Sequence, residues 1–159
     1  MSNMSFGNTI KAWIQLSRLP FHSVGVLPFL LGTVLVWRMH HQFNLPVFIL
    51  SVAAVMLIML CTYYNGEYCD ILEDRLSATM ERNIFSGGSQ VIAQNILPYQ
   101  HANIASHIAL ALAVVIGLVI YFYYQTGPWT IPLGIVGMVS GYFYSNMPVR
   151  WVARGIGEV

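Results

Sequence analysis

Glu67, Asp70, Glu73, Asp74 and Glu81 are five of the six acidic residues in the chain. They fall within fifteen positions, at the end of the apolar run VFILSVAAVMLIMLCTYYNGEYC, residues 47–69. Charge is costly near hydrocarbon, so an acidic cluster where a membrane helix ends marks a candidate functional site. On a helix, Asp70 and Asp74 are i and i+4, about 40° apart in projection. Glu67, three residues before Asp70, falls on the same side. Three converging carboxylates repel one another and need a proton or a cation. An all-oxygen donor set suits a hard ion such as Mg²⁺, which is commonly held by one or two carboxylates together with substrate phosphates. Without that chemistry, the same residues read as a solvated helix end.

The elements that must hold these residues are membrane helices. The 159 residues are 57% hydrophobic and 8% charged, whereas a soluble domain carries roughly 25% charged residues. The net charge of +1 offers no basic footprint for nucleic acid, and none is expected as a partner. Cys61 and Cys69, eight apart on one predicted helix, are separated by about 12 Å along its axis, too far for a mutual disulfide. The histidines at 22, 40, 41, 101 and 107 share no metal-ligand spacing. The first apolar stretch follows Lys11 and Arg18, as a signal peptide would. It contains Pro28, follows directly on Pro20, has no clear cleavage site and precedes further spans, so it reads as a retained helix.

Four segments approach the roughly 20 residues a bilayer needs: 20–38, 46–69, 103–124 and 129–145. The fourth is short and carries Pro132, Gly134, Gly137 and Gly141; small residues let membrane helices pack closely. Residues 70–102 form a polar connection too long for a turn, and 125–128, QTGP, form a tight one. The segment 146–159 reads as a loop entering another helix. With the N-terminus inside, the inner segments hold Lys11, Arg18, Arg75, Arg82, Arg150 and Arg154, and the outer loops only Arg38. That bias places the N-terminus and the acidic loop on the cytoplasmic side of an inner cell membrane. The fold class is all-α, a multi-pass bundle of about four membrane helices and the start of a fifth.

The segment NGEYCDILEDRLSATMERNIFSGGSQVI, residues 65–92, resembles the first aspartate-rich motif and following loop of the UbiA superfamily of membrane prenyltransferases. It is nearest the branch that prenylates dihydroxynaphthoate in menaquinone synthesis. SRLPFHSVGVLPFLLGT (17–33), FSGGSQVI (85–92) and YFYSNMPVRWVARGIGE (142–158) agree with it, so the resemblance covers nearly the whole chain. It implies Mg²⁺-dependent transfer of a polyprenyl group from polyprenyl diphosphate to an aromatic acceptor such as dihydroxynaphthoate. The family pattern Asn-Asp-x-x-Asp-x-x-x-Asp places its last two aspartates on Asp70 and Asp74. Glu67 stands at the preceding Asp and Gly66 at the Asn, with Asn65 one residue earlier. Asp70, Asp74 and Glu67 are then the metal ligands. Arg75 and Arg82, flanking the cluster, are candidate phosphate contacts, and Gly87-Gly88-Ser89 is a loop that helps cap the site, with Ser89 beside the bound group. Tyr63, Tyr64 and Tyr68 are nearby candidates to stabilise developing carbocation character.

Family members have about nine helices and a second aspartate-rich motif. The resemblance therefore implies that residues 1–159 are the N-terminal part of one such domain, inactive alone, with room for a second chain to complete the fold. Two rival chemistries fit the pattern less well. A phospholipid-headgroup transferase needs DG-x-x-AR before its aspartates, and the single Ala-Arg pair, Ala153-Arg154, lies far downstream with no Asp-Gly before it. A cation transporter using the acids as an ion site would place them near mid-membrane, whereas here they follow the apolar run.

Overall fold

The computed structural model describes residues 6–79 and 88–154, and those residues contain helices and turns only. In chain order the helices are α1 (Phe6–Leu16), α2 (Ser23–His40), α3 (Leu45–Cys69), α4 (Ile71–Ser77), α5 (Tyr99–Phe122) and α6 (Thr130–Phe143). Short 3-10 turns lie at Leu19–His22 and Trp151–Arg154. Three helical stretches are long and apolar enough to cross a membrane: Phe6–His40, Leu45–Cys69 and Tyr99–Phe122. α6, at 14 residues, is shorter. Helices α2, α3, α5 and α6 fall on the four expected apolar segments. α1 was not expected, and α4 lies within what was expected to be a polar connection.

Local chemistry sets the boundaries. α3 opens on Asn44, whose side chain accepts a hydrogen bond from the Val47 N–H at 3.1 Å, with Pro46 in the first turn. Both are standard start signals, an orphan donor satisfied and a φ preset for helix. α3 closes at Asp70, which leaves helical geometry (φ −102°, ψ 22°) and serves as the first cap of α4. α4 then carries Glu73 and Asp74 in its first turn, where the helix dipole favours negative charge. α2 buries none of its side chains: Val24, Leu27, Leu31, Val34 and Leu35 are all more than half exposed. Apolar surface of that extent suits hydrocarbon rather than water.

α3 is the hub. It packs along α5 and also touches α2 and α6. The α5 face buried there is small: Ala102, Ser106, Ala109 and Ala113. Spacings of four, three and four keep these residues on one stripe and let the two backbones approach. α6 uses its glycines the same way. A methyl group built on Gly141 would sit 2.6 Å from Thr62 Oγ1 and 3.2 Å from Ile58 Cγ2, whereas one on Gly134 would meet nothing within 4 Å. Gly141→Ala is therefore expected to destabilise the bundle by about 1–3 kcal/mol through overpacking. Gly134→Ala should be neutral or slightly stabilising. Thermal unfolding of the two variants in one detergent checks the contrast.

A hydrophobic core sits at the acidic end of α3. Ala12 and Leu16 of α1, Tyr64 of α3, Val91, Ile92 and Leu97 of the connection, and Ala102 of α5 form one buried cluster. This core holds the connection against the end of α3, and the candidate site is built beside it.

Candidate functional site

A cavity of about 630 Å³ opens where α3 passes into α4, bounded by Arg18, Tyr63, Glu67, Asp70, Asp74 and Arg150 among others. Glu67 is 3% exposed, Asp74 8%. Both approach the same backbone. The Gly88 N–H donates to Asp74 Oδ1 at 3.0 Å, and the Ser89 N–H donates to Glu67 Oε1. A methyl group on Gly88 would collide with the Asp74 carboxylate and lie 2.7 Å from Glu67 Oε1. Only glycine lets the chain pass between the two acids. The other Glu67 oxygen, Oε2, is buried and accepts no hydrogen bond among the described residues. A buried carboxylate oxygen without a donor is unfavourable, so this position is built for a cation or a proton.

Asp70 takes a different partner. Its Oδ1 accepts from Arg150 Nη2 at 2.7 Å, and the same nitrogen donates to Glu73 Oε1 at 2.6 Å. Arg150 follows α6 in sequence and reaches back across the cavity mouth. The Arg150 guanidinium holds the Glu73 carboxyl below the usual carboxylate range. The two carboxylates in turn push the guanidinium's own value up, so it stays charged. The segment that carries Arg150 is tied to α3 at three further points. Asn65 Nδ2 donates to the Tyr142 carbonyl at 3.0 Å, Asn146 Nδ2 donates to Asn65 Oδ1 at 3.0 Å, and the Cys69 thiol donates to Asn146 Oδ1 at 3.1 Å. Asn65 is thus a structural bridge from α3 to α6 and the segment after it.

The sequence-derived candidates separate into two groups. Glu67, Asp70 and Asp74 all line the cavity, with the Ser89 backbone beside them. They do not form one three-carboxylate cage: among the described residues no group of three acids, histidines or cysteines is arranged to hold a metal. The reason is the helix break at Asp70, which turns Asp70 toward Arg150 while Glu67 and Asp74 turn to Gly88 and Ser89. Arg75 does not line the cavity. Its Nε donates to the Ala93 carbonyl at 3.3 Å and its Nη2 to Asn95 Oδ1 at 3.2 Å, which fastens α4 to the connection. Arg82, Gly87 and Glu81 lie outside the described residues. Of the three tyrosines, Tyr63 lines the cavity. Tyr64 is in the core with its hydroxyl 2.7 Å from Ser17 Oγ, and Tyr68 stacks on Tyr99.

Local spacing did not single out two other members of the site. Arg18, in the left-handed region (φ 48°), lays its guanidinium over Phe21 at 4.5 Å and Tyr63 at 5.6 Å from the ring centroids. Arg150 is eighty residues from Asp70. The signal that points to both is the resemblance, since Arg18 and Arg150 stand in two of the stretches that carry it, 17–33 and 142–158.

For the donor set, Glu67 and Asp74 fit a hard divalent ion: two buried carboxylates, one with an oxygen that has no donor among the described residues, beside a cavity with room for further oxygen ligands. No family model, curated protein or solved structure matches the chain.

Proposed function

We propose that this chain carries the acidic, diphosphate-binding site of a Mg²⁺-dependent membrane prenyltransferase. Its donor substrate is a polyprenyl diphosphate and its acceptor an aromatic compound such as dihydroxynaphthoate. The observation that carries the reading is the Glu67–Asp74 pair: two buried carboxylates around a glycine backbone, one oxygen without a donor among the described residues, lining a cavity between apolar helices. The motif resemblance of residues 65–92 supplies the reaction class.

Glu67 and Asp74 would hold the ion, with Asp70 next to them. Mg²⁺, when bound, neutralises charge on the departing diphosphate. The chain's own groups do the rest. Backbone N–H groups of Gly88 and Ser89 fix the two carboxylates in place, which removes the cost of ordering them at the moment of binding. Arg18 and Arg150 put positive charge at the cavity wall, where phosphate oxygens would sit. Phe21 and Tyr63 offer ring faces beside Arg18, suited to a planar acceptor or to developing allylic cation character. The apolar helices around the opening keep water from the reacting carbon.

The cation-transporter alternative uses the same acids and needs no diphosphate. One comparison separates the two. The full chain, in membranes from a host lacking its own enzyme, is assayed for retention of radiolabelled prenyl diphosphate with Mg²⁺ and with EDTA. Isotopic cation uptake is measured in sealed vesicles from the same preparation. Mg²⁺-dependent retention without uptake is expected. Uptake without retention would overturn the prenyltransferase reading.

A further inference from the structure

We propose that α1 is an interfacial helix that lies in the surface of the bilayer, with Phe6, Ile10 and Ile14 in the headgroup–acyl boundary. This inference is independent of the prenyltransferase reading.

The argument begins with surplus length. Phe6–His40 covers 35 residues, about 52 Å as a straight helix, against a hydrocarbon core of about 30 Å. α2 alone, with 18 residues, supplies about 27 Å. The stretch is also not one straight helix. Arg18 takes a left-handed conformation and the 3-10 turn Leu19–His22 separates α1 from α2. α1 is therefore extra length on a different axis.

Its three faces say where it goes. At about 100° per residue, Thr9, Ala12, Trp13 and Leu16 share one sector. Ala12 and Leu16 are buried in the core at the acidic end, and the Trp13 ring meets Tyr64 edge-on at 5.8 Å between centroids. Asn8, Lys11 and Gln15 share a second, polar sector. Phe6, Ile10 and Ile14 share the third, at 81%, 45% and 54% exposure. A helix on a water-soluble surface needs two sectors, one for protein and one for water. The third, apolar and open, is what a helix needs when it also touches lipid, and Lys11 beside it is placed to snorkel toward headgroups.

Position in the fold supports the same occupant. α1 does not run alongside the middle of the spans. It packs on Tyr64, Val91, Ile92 and Leu97 at the acidic end of α3, where the apolar span gives way to charged residues. Its open stripe is therefore carried at the end of the spans, where an interfacial helix would lie. Gln15 Nε2 also donates to the carbonyl of Ser89 at 3.0 Å, the residue whose own N–H donates to Glu67. Seating α1 in the surface therefore fixes the depth of the acidic site.

The test is site-directed spin labelling of the full chain in phosphatidylcholine bilayers. Labels are placed one at a time through Asn8→Cys, Ile10→Cys, Lys11→Cys and Ile14→Cys, in a background with Cys61 and Cys69 replaced by alanine. Labels at 10 and 14 are expected to collide with oxygen several-fold more than with a water-soluble nickel chelate, and labels at 8 and 11 to show the reverse. Ile10→Gln with Ile14→Gln leaves the buried sector intact, so a fold change would not mask the result. A label at Phe6→Cys in that background should become several-fold more accessible to nickel while helix content is unchanged. Nickel-dominated collisions at 10 and 14 would overturn the proposal, as would lipid-like collisions at all four positions, which would mean that α1 crosses the membrane. Disulfide dimers through Ile10→Cys would also overturn it, by naming a second copy as the occupant.

Discussion

Gly88→Ala should abolish Mg²⁺-dependent prenyl diphosphate binding while leaving helix content and membrane insertion unchanged. The added methyl group has nowhere to go: it meets the Asp74 carboxylate on one side and Glu67 Oε1, at 2.7 Å, on the other. Neither neighbour can yield at low cost. Asp74 is held by the Gly88 N–H and Glu67 by the Ser89 N–H, and both side chains are buried. Relieving the clash moves the loop, and moving the loop separates the two carboxylates. Loss of outer hydrogen bonds to metal ligands already costs about 10–100-fold in affinity, so displacing both ligands together should cost at least about 100-fold. Asp74→Asn and Glu67→Gln should each match that loss, through charge rather than position. Gly134→Ala, whose methyl group meets nothing within 4 Å, is the control for a helical glycine. Equilibrium retention of radiolabelled prenyl diphosphate on washed membranes, across a Mg²⁺ titration, reads all four. Wild-type affinity in Gly88→Ala would mean that the site is not assembled around this backbone.

That a single glycine can matter so much is not visible in local pattern. Gly87-Gly88-Ser89 reads as a loop near the acids, but its contact with Glu67 and Asp74 is made across 22 and 14 residues. The spans were legible because an apolar run near bilayer length has few other stable solutions. α1 was not, because its eleven residues fall far short of the apolar length that marks a membrane span. The acidic cluster was legible as a cluster but not as a geometry. The i, i+4 spacing assumes one continuous helix, and backbone bonds Asp70 N–H to the Gly66 carbonyl and Asp74 N–H to the Asp70 carbonyl do persist through this stretch. Asp70 nevertheless departs from helical angles, and that one residue sends it to Arg150 instead of to Glu67 and Asp74. Arg75 illustrates the same limit from the other side: next to the acids in sequence, it turns to Ala93 and Asn95 because α4 needs an anchor.

Arg150→Gln should move two affinities in opposite directions. Arg150 bridges Asp70 and Glu73 with one nitrogen, at 2.7 and 2.6 Å. Its Nε is buried and has no hydrogen-bond partner among the described residues. The described cavity wall carries four carboxylates, Glu67, Asp70, Glu73 and Asp74, against two guanidinium groups, Arg18 and Arg150. Removing Arg150 leaves more uncompensated negative charge, which attracts a divalent ion. A divalent ion alone should therefore bind the variant about tenfold more tightly, about 1.4 kcal/mol. A diphosphate brings its own negative charge and needs the cation that has been removed, so its affinity at saturating Mg²⁺ should fall by about tenfold. Glu73 sets the working range of this bridge. Its carboxyl is held below the ordinary value by Arg150, so the bridge contributes fully above the unfolded value of about 4.3 and is lost as pH falls through the lowered one. Measurements near neutral pH therefore start from the closed bridge. Mn²⁺ titration followed by electron paramagnetic resonance gives the first affinity, and diphosphate retention the second. If Arg150→Gln binds Mn²⁺ no more tightly than the wild type, Arg150 is not competing for the acids. If it also retains diphosphate normally, the guanidinium serves only to fasten the segment after α6 to the end of α3.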